Sequence, residues 1–222
     1  FTNRATLYTA NSSGGWTAQQ AGDHVPVSRW DHPDQTPVFL LAPQTAGPVW
    51  LRLENRPAPL SPRLSLLDER QLQEKRQWTF LMVGGYLGFG LLVLFIGWVH
   101  ARLYADRAFI AYCCYVACML GFQAAFTGVG GLFFWPDHAA WNDAAPPVFM
   151  LWLTASGIWF VREVCMVSRH HRGVDRLVLA WSVFGLLFPV LYLLLLNRPV
   201  FILLNLYGLL SVLLSFSLCI WT

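Results

Sequence analysis

The side chains able to hold a ligand are concentrated in the first 55 residues of the chain. Asp31 and Asp34, with His32 between them, form a local cluster whose oxygen ligands suit a hard cation. Trp16, Trp30 and Trp50 offer flat faces on which a sugar can stack, and Asp23, Arg29 and Arg52 can supply hydrogen bonds or charge. The competing reading is that these are strand-face and loop residues turned to water, where Asp and Arg normally sit. Gly22-Asp23 and Arg52 can equally serve the fold, by closing a turn and pairing across strands.

The catalytic alternatives fail on their residue patterns. Ser156-Gly157 lies in an apolar run, with neither a GxSG motif nor a His in a later run to activate the hydroxyl. His170-His171 has no further metal ligands near it, and the chain carries no phosphate-binding loop and no spaced His pair for haem. Cys113, Cys114, Cys118, Cys165 and Cys219 all fall in or beside apolar runs, where small buried thiols serve packing. We therefore expect neither enzymatic activity nor a cofactor. A net charge of +3, spread along the chain, gives no reason to expect a nucleic-acid partner.

Strands and their turns must position the first-third residues. ATLYTA (5–10) reads as a short strand closed by the turn-forming NSSGG (11–15), VFLLA (38–42) as a buried strand, and VWLRLE (49–54) as a strand alternating between two faces. Prolines punctuate the intervals. The pattern predicts an antiparallel sandwich or jelly roll over residues 1–67, one that is thin for its class.

From Thr79 onward the chain is a different material. Of the whole sequence, 56 % is hydrophobic and 12 % charged, about half the charge density of a soluble domain. Eight of the fifteen Lys and Arg and seven of the twelve Asp and Glu precede Thr79, so the deficit belongs to the remainder. The run TFLMVGGYLGFGLLVLFIGWV (79–99) carries no charge and is long enough to cross a hydrocarbon core of roughly 30 Å. Four more spans are predicted near 109–127, 144–161 (beginning at Pro146-Pro147), 177–196 (with a kink at Pro189) and 200–221. Residues 68–78 form a polar, helix-prone joint expected to continue into the first span.

With the N-terminus outside, the two inner loops hold Arg102, Arg107, Arg162, Arg169, Arg172 and Arg176, against Arg198 alone in the outer loops between spans. Arg70, Lys75 and Arg76 fall on the other side, at the edge of the soluble region. The outer loop 128–143 carries Phe133, Phe134, Trp135 and Trp141, read as an interfacial belt or, alternatively, a ligand platform. Gly84 and Gly88 make a GxxxG pair suited to close helix packing. Gln123, Asn197 and Asn205 are read as interhelical hydrogen-bonding residues, and Arg162 and Glu163 as a pair or as anchors at the interface. No acidic residue lies at the centre of a span, which argues against proton-coupled transport.

Several strings in a particular order carry a resemblance. YADRAFIAY (104–112), GLFFWPD (131–137) and the Arg-His-rich loop before the fourth span resemble the bacterial seven-transmembrane receptors with diverse intracellular signalling modules. TLYTA, AGDHVPVSR (21–29), VFLLA and VWLRLEN (49–55) resemble that family's type-two extracellular sensor domain. The resemblance implies a periplasmic jelly-roll sensor for carbohydrate-like or other small ligands, seven spans in a bacterial inner membrane, and a cytoplasmic output such as a histidine kinase or diguanylate cyclase. Five spans and no output module are present, so the chain is expected to be a piece of a longer protein, cut at Phe1 and Thr222. Its expected partners are membrane lipid, a small extracytoplasmic ligand and a second copy of itself. The alternative is a transporter or membrane-complex subunit whose β domain is a docking platform.

Overall fold

The β-branched and aromatic residues of the first third pair as a single small sheet. In the computed structural model, which describes residues 2–11, 15–41, 47–55, 62, 64–195 and 198–221, β1 (Arg4–Ala10), β2 (Trp16–Ala21) and β3 (Val49–Glu54) form an antiparallel sheet in the order β2-β1-β3. β1 is central, with Leu7 opposite both Gln19 and Leu51, and Ala5 opposite both Ala21 and Leu53. Being central buries Ala5, Thr6 and Leu7. The turn between β1 and β2 is held by the Asn11 N–H donating to the Gly15 carbonyl at 2.7 Å, and by a 2.7 Å hydroxyl contact between Thr9 and Thr17.

Two strand expectations need correction. β2 is absent from the expected strands, because WTAQQA has little apolar alternation and is a strand through its ladder with β1 rather than through its own pattern. Residues 38–41 are not a strand, and Ala42 lies outside the described residues. Pro37 removes a ladder donor just ahead of them, and Phe39 packs instead against the cluster of Ala21, Val27 and Trp30. The described residues show one three-stranded antiparallel sheet ahead of the helices.

The first helix, α1 (Glu69–Tyr104), has 36 residues and is about 54 Å long by its rise. Its start is set locally. The Asp68 carboxylate accepts the Gln71 N–H at 2.6 Å while Gln71 Oε1 accepts the Asp68 N–H at 3.2 Å, a reciprocal capping box. Residues 69–104, polar at the start and apolar beyond, are therefore one unbroken helix. Next come α2 (Arg107–Phe126), a π-helical turn (Gly130–Phe134), α3 (Ala139–Val164), a single turn α4 (Val167–His170), α5 (Arg172–Leu195) and α6 (Arg198–Trp221). Five of these helices are long and apolar enough to cross a membrane.

The helix that carries the third expected span, α3, starts at Ala139 and runs through both Pro146 and Pro147. Each proline deprives the residue four earlier of its helical partner, Asn142 and Asp143 respectively, and both lie near the entry of the helix where solvent can serve them. Pro189 sits inside α5, buried against its neighbours.

The chain divides into two units, Phe1–Gln73 with Ala124–Ala145, and Glu74–Gln123 with Pro146–Thr222. The outer loop thus groups with the β region. Leu132 packs on the Ala21, Val27 and Trp30 cluster, and Ser28 donates from Oγ to Asp137 at 2.6 Å and from its backbone N–H to the Pro136 carbonyl at 3.3 Å. Phe133 and Phe134 remain exposed.

In the helical unit small residues admit large ones. Leu120 lies against Gly90, Tyr112 against Gly97, Phe149 against Gly121 and Tyr207 against Gly185. Side-chain donors satisfy backbone and side-chain acceptors across helices: Ser182 Oγ to the Ala155 carbonyl at 2.8 Å, Trp152 Nε1 to the Leu186 carbonyl at 3.3 Å, and Trp181 Nε1 to Ser211 Oγ at 2.9 Å. A Cβ built on Gly84 or Gly88 meets nothing within 4 Å beyond its own helix, so that face of α1 is open among the described residues. Asn197 lies outside the described residues, and both Gln123 and Asn205 make interactions.

Candidate functional site

The turn after β2 puts Asp23 in position. Gly22 has φ +125, which an L side chain rarely adopts, and a Cβ there would lie 2.8 Å from the carbonyl oxygens of Thr2 and Asn3. That close approach lets the Asp23 and His24 N–H groups donate to those same carbonyls, at 3.0 and 2.8 Å. The 3-10 turn Val27–Arg29 then carries the chain to Trp30, whose Nε1 donates to the Val25 carbonyl at 2.9 Å and fixes the ring. Asp34 comes next, buried, with one carboxylate oxygen accepting the Gln35 N–H at 2.7 Å.

Asp23, Val27, Trp30, Asp34 and Gln35 line a cavity of about 400 Å³ together with Thr36, Phe126, Thr127 and Asn142. Phe126 is the last residue of α2 and Asn142 lies in the first turn of α3. Gly128, at φ +78, lets the backbone of Gln35 come against it, where any side chain would collide. Among the described residues that line the cavity none is Lys, Arg or His. The Asn142 amide donates to Asp23 Oδ1 at 3.1 Å and accepts from Trp135 Nε1 at 3.2 Å, so a single side chain joins the β region to the outer loop. Nearby, His24 Nε2 lies 3.4 Å from Asp143 Oδ2 and 2.7 Å from Asn3 Nδ2.

Burial pushes the Asp23 carboxyl up to about 7, with the like charge of Asp143 adding to the rise. Near neutral pH this group is poised between its two protonation states. The Gln35 side-chain amide is unusual too: its Nε2 is buried without a hydrogen-bond partner.

Of the ligand candidates named from the sequence, Asp23, Trp30 and Asp34 converge on the cavity. Asp31 is exposed and does not line it, and among the described residues no group of three or more His, Cys, Asp and Glu gathers as metal ligands. Arg29 is exposed at the end of the 3-10 turn, and Arg52 pairs with Glu54 at 2.5 Å on the sheet surface. Trp16 and Trp50 oppose Ala10 and Tyr8 in the ladder, so they share the sheet face opposite Ala5 and Leu7, and both are more than half exposed. Gln35 and Asn142 are site residues that the sequence does not single out. Asn142 is 119 residues from Asp23, and nothing local in the sequence marks such a contact.

In the helical unit, Arg162 meets both Glu163 and Asp175, with Nε 2.7 Å and Nη2 2.9 Å from the Asp175 carboxylate. The Arg162–Glu163 pairing is as expected, and Asp175 is its additional partner. A second cavity, of about 980 Å³, is lined there by Tyr104, Arg107, Phe109, Phe160, Glu163 and Arg169, from the two loops expected to be cytoplasmic.

The comparisons with known proteins agree with this architecture. Residues 78–222 match the family described as 7TM diverse intracellular signalling, and residues 1–68 match the one described as 7TMR-DISM extracellular 2. No curated protein and no solved structure matches the chain. With five membrane-spanning helices behind an extracellular sensor region, the chain belongs to the 7TM diverse intracellular signalling family.

Proposed function

We propose that this chain is the sensing and membrane-spanning part of a receptor in a bacterial inner membrane. It senses a small extracytoplasmic ligand, carbohydrate-like or cationic, and relays its presence to a cytoplasmic output such as a histidine kinase or diguanylate cyclase. The observation that carries this reading is the make-up of the 400 Å³ cavity, in which Asp23 and Trp30 of the β region stand beside Phe126 of α2 and Asn142 of α3. A ligand seated there touches the soluble region and the ends of two membrane helices at once. A ligand shifts a conformational equilibrium only through different affinities for the two states, and such a site supplies the means. The unbroken α1 gives a further stiff connection. The relay works within a homodimer, for which the open Gly84–Gly88 face of α1 is a suitable seam.

Reading the gene beyond Thr222 and assaying its product tests this reading. Two more spans followed by a kinase or cyclase whose activity responds to extracytoplasmic solute are expected. Solute movement across liposomes by the protein, with no output module, would replace the receptor with a transporter.

A further inference from the structure

The chemistry of the cavity narrows its ligand. A buried carboxyl is normally matched by a cation, yet the side chain bonded to Asp23 is the neutral amide of Asn142. The charged groups around it are Asp143 and the neighbouring His24, which itself faces Asp143. Asp34 adds a second carboxyl to the lining, and none of the described lining residues is basic. Trp30 lines the same space with its N–H already committed to Val25, so what it can offer a ligand is ring surface and not a donor. A carboxylate beside an aromatic face is the combination that attracts an ammonium group. Gln35 makes the opposite demand, since its buried Nε2 requires an acceptor oxygen.

Size and ligand count set the class. The volume falls in the usual range for small organic ligands, about 300–1,000 Å³. A hard metal ion such as calcium would ask for about six to eight oxygens at close range, and the lining offers two carboxyls.

We propose that this cavity binds a small primary-ammonium compound that also carries an oxygen acceptor, with the ammonium against Asp23 and Trp30 and the oxygen on Gln35. The inference rests on the receptor reading for its purpose, but not for its test. Binding a cation favours the ionised form of Asp23, so below about pH 7 the ligand must displace a proton. Affinity therefore rises with pH through that region, as long as the amine stays protonated.

The test is calorimetric titration of the whole chain in lipid nanodiscs with two matched pairs of probes, glucamine against sorbitol and ethanolamine against ethylene glycol. Both amines are expected to bind and both neutral partners to fail. Amine affinity should fall about tenfold between pH 8 and pH 6, the change in the ionised fraction of a group titrating near 7. Asp23→Asn should lose both the affinity and its pH dependence, while Gln35→Leu should weaken binding and keep the pH dependence. Trp16→Ala with Trp50→Ala, on the exposed sheet face, should change neither. Should Asp23→Asn fail to fold, the pH profile and Gln35→Leu decide.

Binding of sorbitol as tight as that of glucamine would overturn the ammonium assignment and leave the receptor reading standing. Amine binding that ignores pH, or no binding by either amine, would overturn it as well. Transport of glucamine into liposomes would instead sink the receptor reading, and the amine site could survive it.

Discussion

Two groups of buried carboxyls in this chain are treated in opposite ways. In the helical unit Glu163 and Asp175 enclose Arg162, and all three side chains are less than a fifth exposed. Both carboxylates there meet the same guanidinium within the protein. In the β unit Asp23 has an amide for a partner, another carboxylate nearby, and a cavity beside it. The first arrangement is ion-paired and joins α3 to α5. The second leaves a protonation equilibrium near neutral pH, which a structural role would not require. A buried charge with its counterion supplied reads as architecture, and one without it reads as a place for something to bind.

Removing a partner from the ion-paired cluster should have the largest effect. Arg162→Met leaves two carboxylates buried without compensation, a loss of about 3–5 kcal/mol. It should appear as a sharp drop in folded yield and in the midpoint of thermal unfolding in detergent. Combining Arg162→Met with Glu163→Gln and Asp175→Asn should recover most of that loss, because the uncompensated charges go with it. If the single and triple variants unfold alike, Arg162 is not what compensates the two carboxylates and the contrast weakens.

The effect at Asp23 should be smaller and should depend on pH. Its folded value lies above the ordinary aspartate value, so the folded state holds a proton that the unfolded chain has given up between about pH 4 and pH 7. The associated stability is fully present below about pH 4 and is lost as the pH rises through 7, by up to about 1.4 kcal/mol per unit. Hydrogen exchange of the β1 and β2 amides should track that slope, and Asp23→Asn should flatten it. A mild further test concerns the start of α1. Asp68→Ala removes a cap worth about 1 kcal/mol, so amide protection should fall at Leu72 and its neighbours while the apolar part of the helix stays unaffected.

The contrast also explains what the sequence could reveal. Spans announce themselves by unbroken apolar length, β1 by a short strand-like run closed by a turn sequence, and β3 by alternation, because in each the signal and the cause lie in the same dozen or two residues. β2 gives no such signal, since WTAQQA is a strand only by virtue of lying against β1. The run at 38–41 gives a false one, its apolar residues serving the Trp30 cluster and not a ladder. At the site, Asp23, Trp30 and Asp34 are legible as residue types near one another in sequence. Gln35 is not, because an unpaired amide is a property of packing. Asn142 is not either, because only the folded chain brings α3 to the turn after β2.

The most direct measurement is the titration of the Asp23 carboxyl itself, read by carbon-13 NMR of aspartate-labelled chain in nanodiscs with Asp23→Asn to assign the signal. The account predicts a midpoint near pH 7 that moves to lower pH when glucamine is added and stays put with sorbitol. A midpoint in the ordinary aspartate range, indifferent to the amine, would mean that Asp23 is already compensated, and the distinction between the two carboxyl groups would fall.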